Sequence, residues 1–180
     1  MINYLDFVAK IEKGLDEKNT RIWRQFSFEG GRSVSLYVSG EKGILLIVSF
    51  HFFLTYMKHA APGDFDAFSE ECLNYVMKAA ETFPVKKSIS NCLVIPCIAT
   101  DTSYRELSDR ARQSEKTKES KTNFLTTTVM PCLLNLTTHK SFYPTNASPL
   151  LKPLLNPGRD FLEKLVIPNN QTLAPDAKNR

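Results

Sequence analysis

Apolar side chains recur at Tyr4, Val8, Ile11 and Leu15, the spacing of one helical face, with Asn3 placed as N-cap and Asp6 in the first turn. The spacing predicts a helix over residues 4–17. From residue 21 to 28 the pattern switches to alternation, with Ile22, Phe26 and Phe28 on one side and Arg21, Trp23, Gln25 and Ser27 on the other. Residues 33–39 alternate likewise, setting Val34, Leu36 and Val38 against Ser33, Ser35, Tyr37 and Ser39. Two half-buried strands follow. Cross-strand partners must share a face, so only an even index sum brings Phe26 beside Val34. A two-residue Gly-Gly turn fails that condition. A three-residue loop, Glu29-Gly30-Gly31, meets it and offers glycine for the left-handed position such loops need. The expected pairs are Phe26 with Val34, Ile22 with Val38, and Trp23 with Tyr37.

After Gly40-Glu41-Lys42-Gly43, read as a turn, the run Ile44 to Leu54 is apolar on both faces, as a central strand should be. Asp64 then caps a helix whose stripe is Phe65, Phe68, Cys72, Val76, Ala79 and Phe83, stopped by Pro84. Residues 88–99 and 124–138 read as a fourth and a fifth strand, separated by a polar excursion over 101–122 with little to bury. A last helix is expected from Asn156 as cap and Pro157 as first residue, burying Phe161, Leu162, Leu165 and Val166. The segment 168–180 reads as a flexible tail. The order α-β-β-β-α-β-β-α predicts an α+β domain over 1–167: an antiparallel-rich five-stranded sheet with helices mainly on one face. In element order alone, its leading α-β-β-β-α-β resembles the core of restriction-type nucleases, and the full string resembles α+β dimers of the secretion-chaperone type.

Composition narrows the function classes. A chain of 180 residues, 42% hydrophobic and 23% charged, suits one packed domain. The excess of 23 Lys and Arg over 19 Asp and Glu is too small to mark a nucleic-acid partner, and Arg105–Lys121 is nearly self-neutralising. The N-terminus lacks the pattern of a secretory signal, and Ile44–Leu54 is far short of the ~20 apolar residues that cross a bilayer. The expectation is therefore a soluble cytoplasmic protein with Cys72, Cys92, Cys97 and Cys132 as free thiols.

Catalytic signatures are missing. A nuclease of the type named above needs two or three carboxylates and a lysine on a metal. Between Lys18 and Lys58 the only acids are Glu29 and Glu41, both read as turn residues. His51, His59 and His139 stand in no metal or catalytic motif, and no phosphate loop or nucleophile elbow occurs. No cofactor or metal is expected. One coincidence remains: Val94-Ile95-Pro96-Cys97-Ile98 and Val129-Met130-Pro131-Cys132-Leu133 are nearly the same five residues. Their prolines place both segments at an edge or a bulge, where Cys97 and Cys132 face one another if the fourth and fifth strands pair.

The more informative feature is the second face of the sheet, where the register gathers Trp23, Tyr37, Leu45, Ile47 and Phe53 opposite the first two helices. That is too much apolar surface to leave in water. Residues 145–167 can wrap over it, or a protein partner or second copy can dock there. The expectation is a small protein-binding, adaptor or chaperone-like protein acting through this face. The alternatives are an enzyme combining His51 or His139 with Cys97 or Cys132, and nucleic-acid stacking on Trp23 and Tyr37 beside Arg21, Arg24 and Lys42.

Overall fold

The computed structural model describes residues 3–15, 20–42, 48–82, 91–101, 105–113, 116–119, 126–138, 140–144 and 152–166. Leu45, Ile47, His139, the expected start of the third strand and the expected tail lie outside them. Helix α1 (Tyr4–Lys13) starts at Asn3, whose side chain accepts from the Leu5 N–H at 3.1 Å, and buries Phe7 and Ile11. Strands β1 (Thr20–Ser27) and β2 (Ser33–Lys42) form the expected hairpin, pairing Ile22 with Val38, Trp23 with Tyr37 and Phe26 with Val34. The Phe28 N–H donates to the Arg32 carbonyl at 3.0 Å, which leaves Glu29, Gly30 and Gly31 as the loop, with Gly31 at φ 83°.

The faces of the hairpin differ from the expectation. Gln25 adopts φ 50°, a left-handed residue inside β1, and the alternation slips there. Phe26 lies in the same core as Tyr37, and across from it the alternation of β2 breaks as well, with Val34 in that core and Leu36 and Val38 in the opposite one. Glu41 belongs to the end of β2, opposite Ser49, rather than to a turn.

Strand β3 (Val48–Tyr56) is antiparallel to β2, and helix α2 (Pro62–Thr82) then returns the chain so that β4 (Asn91–Thr100) runs parallel to β3. The expected fifth strand is two pieces, β6 (Thr126–Val129) and β7 (Cys132–Asn135), both parallel to β4. The bridges stop at Val94 with Val129 and resume at Cys97 with Cys132, because Pro96 and Pro131 bring no N–H to the ladder. The prolines therefore interrupt the pairing, but β4 is an interior strand and not an edge. Two short strands, β5 (Lys116–Glu119) on β6 and β8 (Lys140–Phe142) on β7, complete an eight-stranded mixed sheet among the described residues. An antiparallel-rich, five-stranded sheet is thus corrected to one whose centre is parallel, in keeping with β3 and β4 being apolar on both faces.

Helices cover both faces rather than one. α1 and α4 (Lys152–Phe161, continued by a π-helical turn Leu162–Val166) pack on Leu36, Val38, Phe50, Phe52 and Leu93. α2 packs on the other face with helix α3 (Arg105–Gln113), over Tyr37, Phe53, Val94 and Val129. Within the expected excursion, α3 packs on the core through Leu107 and Ala111, which lie one helical turn apart and are fully buried. α4 begins before Asn156 and runs through Pro157; Pro153 sits in its first turn, where a missing N–H costs little.

α4 rests so close to the sheet that a Cβ on Gly158 would lie 2.6 Å from Leu93 Cδ2, 2.8 Å from Met130 Cε and 3.0 Å from Ile95 Cδ1. In an open helix Gly→Ala stabilises by about 1 kcal/mol. At this site overpacking of about 1–3 kcal/mol opposes that gain. Gly158→Ala is expected to lower the urea midpoint, and a raised midpoint would show α4 standing off the sheet.

Candidate functional site

The register sets Trp23, Tyr37, Phe53 and Pro96 side by side across β1, β2, β3 and β4. The aromatic members stack: Trp23 on Tyr37 with centroids 4.7 Å apart at 21°, and Tyr37 on Phe53 at 4.5 Å and 16°. Tyr75 comes down from α2 edge-on to Tyr37 (5.6 Å, 81°) and to Phe53 (5.8 Å, 84°). Offset stacking and edge contacts of this kind contribute about 0.5–1.5 kcal/mol each beyond the area they bury. The stack runs from the core to the rim of the sheet. Phe53 is 0% and Tyr37 5% exposed, whereas Trp23 is 42% and Tyr75 38% exposed.

Of the face expected to bind a partner, Tyr37 and Phe53 are therefore covered by the chain's own α2. Helix α2 takes the side expected to await a cover, and α4, expected there, takes the other. Leu45 and Ile47 are not among the described residues, and Trp23 is the member still presented to solvent. Tyr75 and the change of face at Gln25 escaped the sequence reading. Tyr75 stands three residues beyond Cys72, on the flank of the apolar stripe, where helical spacing alone does not separate rim from core.

The rim of β1 is basic and poorly suited to strand addition. Arg21 is exposed two residues from Trp23, and Arg24 turns to the α1 side, where its Nε lies 2.7 Å from Glu12 Oε1. The left-handed Gln25 and these charges blunt β1 as a template for another strand. Two ion pairs fasten the hairpin to α2: Lys78 with Glu29, and Arg32 Nε with Glu71 Oε2 at 3.0 Å. The Lys78 ammonium holds the Glu29 carboxyl below its ordinary range.

Beside the stack lies a row of Ser39, His51 and Val94. His51 Nδ1 is 2.8 Å from Tyr37 Oη and Nε2 is 3.0 Å from Ser49 Oγ. A neutral imidazole carries one N–H and one lone pair, so it donates on one side and accepts on the other. Serine, imidazole and a third group in line invite comparison with a nucleophilic triad. The chemistry goes the other way. Burial pushes the His51 pKa down to about 4, and burial raises that of Tyr37, so neither charge needed to withdraw a proton from Ser49 is stabilised. No carboxylate stands in the relay, and it acts as a fixed hydrogen-bond network.

The pairing of His51 with Cys97 or Cys132 loses its geometry as well, whereas His139 lies outside the described residues. Cys97 and Cys132 are direct register partners, as their matching segments suggested, but they lie in the α1/α4 core, across the sheet from His51. Cys92, beside Ser49 in the register, shares the His51 side, where burial pushes its thiol up to about 12. β3 has no acidic residue between Val48 and Tyr56, and Glu41 is the one acid of β2. Among the described residues no three His, Cys, Asp or Glu side chains gather as metal ligands, and no helix is long and apolar enough to cross a membrane. Comparison of the chain with protein-family models, with curated proteins and with solved structures returns no match.

Proposed function

We propose that this chain is a binding protein that works through the rim formed by Trp23, Tyr75 and Arg21, with a second copy of itself as the first partner. The observation that carries the reading is the half-exposed Trp23 at the outer end of a stack whose inner rings are buried. Such a ring is already immobilised by Tyr37, so a partner that covers it pays little further ordering entropy. Trp, Tyr and Arg are also the residue types enriched among interface hot spots. Contact by side chains, rather than by an added strand, fits the blunted β1. A two-fold arrangement brings the same rim to itself and requires no other component.

Sedimentation of the wild type and of Trp23→Ala tests the reading. The wild type is expected to self-associate at micromolar concentration. Trp23→Ala is expected to stay monomeric with an unchanged circular dichroism spectrum, its association weakened at least tenfold, about 1.4 kcal/mol or more. A wild type that is monomeric at hundreds of micromolar, or a variant that associates equally well, contradicts it.

A further inference from the structure

Cys97 and Cys132 meet in a way the rest of the fold does not require. Both come from the repeated Val-x-Pro-Cys segment, and the parallel ladder aligns the two copies residue for residue, Val94 with Val129 and Cys97 with Cys132. Directly paired residues of neighbouring strands have Cα atoms about 5 Å apart, inside the 4.4–6.8 Å span of disulfides. The two side chains point into the same core, where burial first and then the neighbouring Cys132 thiol hold Cys97 protonated by pushing its pKa up. The bridge pairs skip from Val94–Val129 to Cys97–Cys132 at the two prolines, with the Met130 N–H donating to the Val94 carbonyl at 2.8 Å in between, so the two copies stay in register up to the cysteines. Cys72 and Cys92 lie in the opposite core, on the far side of the sheet.

We propose that Cys97 and Cys132 are a redox pair, converted by a hydroperoxide into a disulfide that clamps β4 to β7. One sulfur attacks the peroxide, so that an S–O bond forms, the O–O bond breaks and an alcohol or water leaves. The second sulfur then displaces hydroxide from that sulfenic acid, forming the S–S bond and releasing water. In sum two thiols and one hydroperoxide give one disulfide, one alcohol and one water; the peroxide gains the two electrons the sulfurs lose. The buried pair is reached when α4 opens locally, which makes the reaction slow but confines it. A sulfenic acid formed there already touches its resolving thiol, so oxidation stops at the disulfide. The bridge closes the segment between residues 97 and 132, which contains α3, β5 and β6.

The test is treatment of the whole folded chain with hydrogen peroxide, followed by alkylation in denaturant and peptide mapping. The expected product has lost two hydrogens, links the Cys97 peptide to the Cys132 peptide, leaves Cys72 and Cys92 alkylated, and reverts with dithiothreitol. The Cys132→Ala variant, a small change at a buried site, should instead carry sulfinic or sulfonic acid on Cys97. A higher urea midpoint for the oxidised wild type is expected, since the link restricts the unfolded chain. Sulfinic acid on either cysteine of the wild type without a link, a disulfide that includes Cys72 or Cys92, no reaction at all, or a midpoint equal to or below that of the reduced protein overturns the proposal.

Discussion

Phe53→Ala is expected to lower the unfolding free energy by about 3–5 kcal/mol. Phe53 has no exposed surface and touches Tyr37, Phe26, Phe28 and Tyr75. Removing it deletes the inner ring of the stack and leaves a void that β3 and β4, held on both sides, cannot close. Domains of this kind are stable by about 5–15 kcal/mol in all, so the loss is a large share. Urea unfolding followed by circular dichroism measures it. A loss under about 1 kcal/mol would mean that the stack is not part of the core. The companion Tyr37→Leu and the double variant complete a cycle, in which a coupling of about 0.5–1.5 kcal/mol is expected from ring contact alone.

Acid is expected to destabilise the protein through His51. Its imidazole titrates near 4 in the folded state because burial disfavours the charged form, against about 6.5 in the unfolded chain. The folded pKa lies below the unfolded one, so the unfolded state binds the proton first. Stability is then full above about pH 7 and falls as the pH drops from 6.5 toward 4, by about 3 kcal/mol across that window. The groups facing His51, Tyr37 and Ser49, remain uncharged throughout it, so neither offsets the effect. His51→Gln removes the titration while keeping a donor and an acceptor. Its urea midpoint is expected to be lower than wild type at pH 7 and to lose less between pH 7 and 4.5. Parallel midpoints in the two proteins would place the titration elsewhere.

The hairpin was legible in the sequence down to its register, since an even index sum and a glycine at the left-handed loop position leave one solution. The face of each residue was not. Gln25 takes a left-handed conformation that no local signal announces, and one such residue moves Phe26 from the expected face to that of Tyr37. The parallel centre was partly legible. Ile44 to Leu54 reads as apolar on both faces, and a long helix between it and the next strand is the usual crossover between parallel neighbours. Composition hid α3, because two apolar residues among nine suffice when they fall one turn apart. The thiol pair was visible as a repeated segment, and only the parallel register was needed to bring it together. The binding reading began from an apolar face without a cover. With α2 over that face, it rests on Trp23.

Trp23 is the chain's single tryptophan, so its emission reports the proposed contact without a label. Acrylamide quenching of the wild type across a dilution series from hundreds of micromolar to nanomolar is the most direct measurement. Weak quenching is expected at high concentration and strong quenching on dilution, with the change following the dissociation seen by sedimentation. Quenching that is equally strong at every concentration would contradict the proposed contact, leaving Trp23 in water where a partner should stand.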